Sequence, residues 1–144
     1  MASFVLETFI DAAPDICFDA IRDVSLQTVV TPSRGVTDRA TLGQTIEFEG
    51  THFGFRHRLT VRVVELDRPH LFVDEMIRGP FRKFRHVHEF LRSGDNGTLM
   101  RDTVAWTSPT WLLGSLGNAI FVRKYLCDLV RTRNAKLKEL VEVR

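Results

Sequence analysis

From Gln44 to Trp106 the chain alternates apolar and polar residues with a period of two, in short runs separated by turn sequences, and this alternation commits the region to strands. The clearest run is Phe84-Arg85-His86-Val87-His88-Glu89-Phe90, which puts Phe84, His86, His88 and Phe90 on one face and Arg85, Val87 and Glu89 on the other. Phe72-Val73-Asp74-Glu75-Met76 precedes it, and Met100-Arg101-Asp102-Thr103-Val104-Ala105-Trp106 follows it. Upstream, Ile46, Phe48 and Gly50 alternate with Glu47, Glu49 and Thr51, and the strand from Arg56 to Leu66 places His57, Leu59, Val61 and Val63 together. The joints fall near Phe53-Gly54, at Asp67-Arg68-Pro69, at Gly79-Pro80 and at Ser93-Gly94-Asp95-Asn96-Gly97. Such short connections imply an antiparallel meander.

Centring each strand pair on its turn places Val61 opposite Asp74, Asp74 opposite His86, and Asp102 opposite His88. An aspartate on each neighbouring strand then faces the histidine pair. The same parity carries Phe48, Leu59, Met76, Phe84, Met100, Val104 and Trp106, so the polar cluster is set in an apolar, concave wall. Arg56, Arg58, Arg62, Lys83, Arg85 and Arg101 leave by the opposite face, as a sheet with one solvated side requires.

The apolar face needs a cover, and the chain supplies one at its end. Ser108-Pro109-Thr110 precedes a proline-free, helix-like run from about Trp111 to Val143. In its second half Val130, Leu137 and Val141 share a side among Arg131, Lys136, Lys138 and Glu139; its first half, including Leu116 and Ile120, is apolar nearly all round and predicts a buried or cavity-lining segment. Ahead of the meander, Phe4 to Ile10 reads as a first strand, and Pro14 suits the first turn of a short helix. Ile16, Ala20 and Ile21, with Phe18 nearby, turn that helix inward, and Ser25 caps a second short helix through Val30 that ends at Thr31-Pro32-Ser33-Arg34-Gly35.

A chain of 144 residues makes one domain, residues 1–144, with enough volume for a core without disulfide staples. Its 26% charged residues are interleaved to a net charge of +2, which gives no general field for nucleic acid. Cys17 and Cys127 lack metal-type spacing and read as reduced packing residues. The segment Met1 to Phe9 carries Glu7 and no basic leader, and Arg123, Lys124 and Asp128 interrupt the apolar half of the last helix. A cytoplasmic protein without stable membrane insertion is expected.

The order of elements, with Ala13-Pro14 after the first strand, Phe72-Val73-Asp74 leading to Gly79-Pro80-Phe81, then His86-Val87-His88-Glu89-Phe90, Met100-Arg101-Asp102 and Pro109 before the last helix, resembles the START-like, or SRPBCC, superfamily along the whole chain. Within it the likeness is to the polyketide cyclase/dehydrase-like group whose members are often labelled cell-division-inhibitor-like. The resemblance implies an α+β helix-grip fold: a curved antiparallel sheet of six to seven strands wrapped around a long C-terminal helix, with two short helices after the first strand. It implies a hydrophobic cavity but no single chemistry, because related members bind lipids, sterols or quinones, act as polyketide cyclases, or serve as chaperone partners.

The expected function is binding of a hydrophobic small molecule between sheet and helix, as carrier or sensor, with Phe48, His57, Leu59, Asp74, Met76, Phe84, His86, His88, Asp102, Trp106, Leu116 and Ile120 around it. For the His-Asp cluster several roles stay open: a satisfied structural network, anchors for a carboxylate, hydroxyl or carbonyl, or the acid/base pair of a cyclase- or dehydratase-like enzyme using His86 or His88. His-x-His with Asp74 or Asp102 is weak evidence for a metal, and neither a metal nor another cofactor is expected. A protein-interaction module, including a homodimer through a sheet edge or the apolar helix, is a further alternative.

Overall fold

The computed structural model describes residues 2–22, 42–43, 45–52, 55–108 and 116–142, without the side chains of 46–52, 55–59 and 116–118. Six strands, β1 (Ala2–Ile10), β2 (Thr45–His52), β3 (Phe55–Asp67), β4 (Leu71–Arg78), β5 (Lys83–Ser93) and β6 (Gly97–Thr107), form one antiparallel sheet in the order β1-β6-β5-β4-β3-β2. The meander from β2 to β6 is as the turn sequences predict. Pairing of β1 with β6, from Ala2 opposite Trp106 to Ile10 opposite Thr98, brings the two ends of the sheet-forming chain side by side.

Helix α1 (Pro14–Ile21) follows β1, with Pro14 in the first turn where its missing N–H costs nothing. Its buried residues are Pro14, Cys17, Phe18 and Ile21, the spacing of one helical face. Ile16, expected to point inward, is instead 46% exposed, because the phase set by Phe18 and Ile21 turns it away from the sheet. The second short helix, Ser25 to Val30, lies outside the described residues, as does the turn at Phe53-Gly54. Helix α2 (Leu116–Glu142), about 40 Å long, closes the chain; its expected start at Trp111 and the preceding Pro109 also lie outside the described residues.

Register follows the sequence reading in the centre of the sheet, with Asp74 opposite His86 and His88 opposite Asp102. On β3 it differs by one pair: Asp74 faces Val63, and Val61 faces Met76. Asp67 pairs with Leu71, so the hairpin turns about Pro69, later than the Asp67-Arg68 centre that the expected pairing assumes, and the irregularity between Val63 and Glu65 returns Val61 and Asp74 to one face. Phe48 pairs with Leu59 and Gly50 with His57 along the backbone.

Two apolar clusters occupy the space between sheet and helices. The first gathers Ile10, Cys17, Phe18, Phe72, Phe90, Met100 and Leu137, each at most 1% exposed. Phe18 meets Phe72 and Phe90 edge-to-face at 6.5 and 5.3 Å. The second contains Phe81, Val104, Trp106, Val122, Leu126 and Val130. Packed against it are Ala2, Phe4, Leu6, Met76, Phe84, Tyr125 and Leu129, all only partly buried.

Gly97, where β6 begins, leaves no room for a side chain. A Cβ on Gly97 would lie 2.6 Å from the Ser93 carbonyl oxygen and 2.8 Å from the Phe9 ring. Gly97→Ala should therefore destabilise the protein by about 1–3 kcal/mol, read from urea unfolding. A midpoint unchanged from the wild type would show that this end of the sheet relaxes freely.

Candidate functional site

At one level across the molecule, every element that contributes to both clusters interrupts its apolar residues with a polar one. On β6 it is Asp102, between Met100 and Val104; on β4 it is Asp74, between Phe72 and Met76. On β5 the interruption is His86 and His88, between Phe84 and Phe90, and on α2 it is Arg133 and Asn134, between Val130 and Leu137. Thr8 holds the same level on β1. Alternation on the strands and the 3.6-residue period on the helix deliver these side chains to a common plane. The result is a polar belt separating two greasy compartments.

Asp102, wholly buried, is the centre of the belt. Its Oδ1 accepts from Arg133 Nη2 at 2.5 Å and from His86 Nε2 at 2.7 Å, and its Oδ2 accepts from Asn134 Nδ2 at 2.7 Å. Asn134 in turn takes hydrogen bonds on Oδ1 from the Arg133 guanidinium and donates from Nδ2 to Thr8 Oγ1 at 3.1 Å. His88 Nε2 donates to Asp74 Oδ2 at 3.2 Å. Its Nδ1 is 3.2 Å from Asp102 Oδ1 but lacks the alignment of a hydrogen bond, which leaves a sealed imidazole nitrogen unsatisfied. The two imidazoles stack on each other, with ring centres 3.8 Å apart, and the Phe72 ring meets His88 edge-on at 5.0 Å.

Burial opposes ionisation of Asp102, yet the Arg133 charge, the bond from His86 and the close approach of His88 hold its carboxyl well below the usual carboxylate range. Asp74 is likewise desolvated, and the hydrogen bond from His88 with the charges of His88, His86 and Arg133 carries it lower than normal. For His86 burial wins: desolvation, reinforced by His88, takes it down to about 4 despite the bond to Asp102. At neutral pH His86 is therefore a neutral imidazole. Because ionised Asp102 can only accept, the His86 proton sits on Nε2 and its Nδ1 is a bare acceptor.

Asp74, His86 and His88 bring donor atoms within 4.8 Å of one another, the raw material of a metal site. The arrangement does not fit one. Ring planes inclined by 24° with centres 3.8 Å apart do not converge on an ion about 2.1 Å from each nitrogen. The Arg133 charge, felt by both Asp74 and His86, also opposes a cation there.

Of the residues singled out in the sequence, Asp74, His86, His88 and Asp102 come together. Met76 and Phe84 stand beside them, half-buried. Trp106 is sealed in the second cluster, edge-to-face with Phe4 at 5.9 Å and under the Arg123 guanidinium. Ile120 does not line the interior: it is 61% exposed, because the helix phase that buries Val122 and Leu126 rotates it outward. The side chains of Phe48, His57, Leu59 and Leu116 lie outside the described residues. Arg133 and Asn134 were not anticipated. The available signal was the buried stripe Val122, Leu126, Val130, Leu137, continued by partly buried Val141, in which the position four after Val130 is an asparagine.

Removing Arg133 strands a buried carboxylate. Arg133→Met should cost about 3–5 kcal/mol in urea unfolding, whereas Arg85→Met, which breaks only exposed pairs with Glu75 and Glu65, should cost under about 1 kcal/mol. Similar costs for the two would show that Asp102 does not depend on Arg133. The belt also makes stability pH-dependent. The unfolded chain protonates His86 near 6.5 while the folded one resists until about 4, so protons favour unfolding across that window. Stability should fall as pH drops from 6.5 towards 4, by on the order of 3 kcal/mol from this group, with loss of the depressed Asp74 and Asp102 contributions at still lower pH. His86→Gln should flatten the first part of that fall, and an unchanged slope would remove His86 as its source.

No protein-family model matches the chain, and no curated protein resembles it in sequence. Solved structures do resemble it in fold. A Thermus thermophilus protein superposes with a TM-score of 0.80 at 19% identity over 97% of each chain. A START superfamily protein from Mycobacterium smegmatis gives 0.75 at 13% identity, again over 97% of each. Truncated norcoclaurine synthase from Thalictrum flavum gives 0.74 at 12% identity, over 99% of this chain and 94% of that one. With its antiparallel sheet, the short helix after β1 and the long closing helix, the chain has the α+β helix-grip fold of the START-like, SRPBCC proteins.

Proposed function

We propose that the protein binds a hydrophobic small molecule on the Met76–Phe84 side of the polar belt, as a cytosolic carrier or sensor. The carrying observation is an asymmetry of packing about the belt. Below it, the first cluster is closed around Phe72, Phe90 and Met100; above it, Met76, Phe84, Phe4, Leu6 and Leu129 are inward yet only partly buried. Proteins do not leave a run of large apolar side chains half-covered next to buried charges without cost, and a bound apolar molecule would complete that burial. The belt is not wholly sealed: 13% of the Asp74 side chain, 10% of Arg133 and 8% of His86 are exposed, against none of Asp102. A few polar groups at the margin of an apolar site are what fix the orientation of a small ligand.

The helix-grip relatives in structure are in keeping with this reading, since one is a START superfamily protein and another a synthase solved with dopamine and hydroxybenzaldehyde. No described helix is long and apolar enough to cross a membrane. An acid/base enzyme of the cyclase or dehydratase type is the second reading, favoured by the carboxylate that orients His86. It is the weaker of the two, because a base with a pKa of about 4 is poorly matched to neutral pH.

Nile red, which fluoresces on entering an apolar site, tests the proposal directly. The wild type should enhance its emission saturably, and Met76→Ala with Phe84→Ala should weaken binding at least about tenfold, while Lys83→Glu on the solvated face leaves it unchanged. No saturable binding, or equal effects of the two variants, would overturn the reading.

A further inference from the structure

Arg133 constrains which kind of molecule the site would hold, and this inference rests on the binding reading above. Its guanidinium offers five N–H groups in a fixed fork, of which its bonds occupy three. Nε and Nη2 share Asn134 Oδ1 at 3.1 and 2.8 Å, and the second Nη2 hydrogen goes to Asp102 Oδ1 at 2.5 Å. Nη1, which lies away from that fork, has no hydrogen-bond partner among the described residues. It is not sealed: the Arg133 side chain is 10% exposed, whereas His88 Nδ1, also unpartnered, is closed off. A helical side chain leans back over the preceding turn, which on α2 carries Leu129 and Val130 of the second cluster. The free edge of a charged donor, nine-tenths buried, is thereby carried towards the apolar residues that lack a cover.

We propose that the site selects an apolar molecule carrying an uncharged carbonyl oxygen, as in a ketone or an ester, seated on Arg133 Nη1. Hydrogen bonds from a charged donor are stronger than neutral ones, and a hydrocarbon in the same place leaves the Nη1 hydrogens desolvated and unpaired. A carboxylate finds the same donor but a charge already engaged, since the guanidinium is bonded to Asp102 and acts on Asp74 as well. With His86 neutral, Asp74 and Asp102 stand against Arg133 and, at most, a protonated His88. In either state of His88 an added anion therefore leaves negative charge in excess, in a place where little water screens it. A neutral acceptor takes the hydrogen bond without that cost.

The test compares 2-acetylnaphthalene with 2-isopropenylnaphthalene, in which a methylene replaces the carbonyl oxygen at nearly the same shape, and with 2-naphthoate, each displacing Nile red from the wild type at pH 7.5. The ketone should bind about tenfold tighter than the alkene, and the naphthoate no tighter than the ketone. Arg133→Lys, which keeps a cation for Asp102 but has no second guanidinium edge, should remove most of the ketone's advantage and leave the alkene's affinity within about twofold. Independently of any variant, isotope-edited infrared difference spectra should place the carbonyl stretch of the bound, carbon-13-labelled ketone below its position in cyclohexane, as acceptance from a guanidinium requires. Equal affinities for ketone and alkene, a naphthoate that binds tightest, a ketone advantage undiminished in Arg133→Lys, or a carbonyl stretch at its cyclohexane position would overturn this inference and leave the binding reading standing. Failure of Nile red and all three compounds to bind would overturn both.

Discussion

The structure turns on a single buried charge. Asp102 lies at the middle of β6 with no exposure, and an isolated carboxylate there would be untenable. It is tolerated because three elements converge on it: Arg133 and Asn134 from α2, His86 and His88 from β5, and, through Asn134, Thr8 from β1. Each of these bonds fixes a relative position that apolar packing alone would leave loose. The phase of α2 is set by the need to present Arg133 and Asn134 to the sheet, and that same phase buries Val122, Leu126, Val130 and Leu137. The register that the short β5–β6 turn fixes brings His86 and His88 to the carboxylate. A buried ion pair of this type is better regarded as a device for specifying one arrangement than as a source of net stability.

The belt also divides the interior into two regions with different states of completion. On one side Phe18, Phe72, Phe90 and Met100 interlock with α1 and Leu137, as a core should. On the other, large side chains remain half-covered beside the belt. The helix is held from both sides and from the belt between them: Leu137 packs in the first cluster, Val122, Leu126 and Val130 in the second, and Arg133 and Asn134 bond to Asp102.

The electrostatics of the belt fix the state of His86. Burial and a carboxylate partner act oppositely on His86, and burial prevails, so the imidazole stays neutral and its proton is committed to Asp102. The direction of the His86–Asp102 bond follows from that commitment, not from the residue type, since histidine can donate from either ring nitrogen. The stacked imidazoles similarly explain why a set of residues suited by type to a metal is unsuited to one by orientation.

Much of this was legible in the chain. Period-two alternation and short turns determined the meander, put Asp74, His86, His88 and Asp102 on one face, and paired Asp74 with His86 and Asp102 with His88, because side-chain facing and hairpin register are local properties of a strand. The β3–β4 hairpin, which turns about Pro69 with an irregularity beside it, placed Val61 one pair from its expected partner, and the phase of α1 and α2 turned Ile16 and Ile120 outward, since neither such an irregular hairpin nor the rotation of a helix about its axis is dictated by its own few neighbours. The partners of Asp102 were decided only in three dimensions: Arg133 and Asn134 lie 31 and 32 positions away. In the sequence Arg133 reads as one more surface cation. Tertiary packing makes it the counter-ion of the core, because a long side chain on the sheet-facing side of a helix reaches whatever charge the sheet holds beneath it.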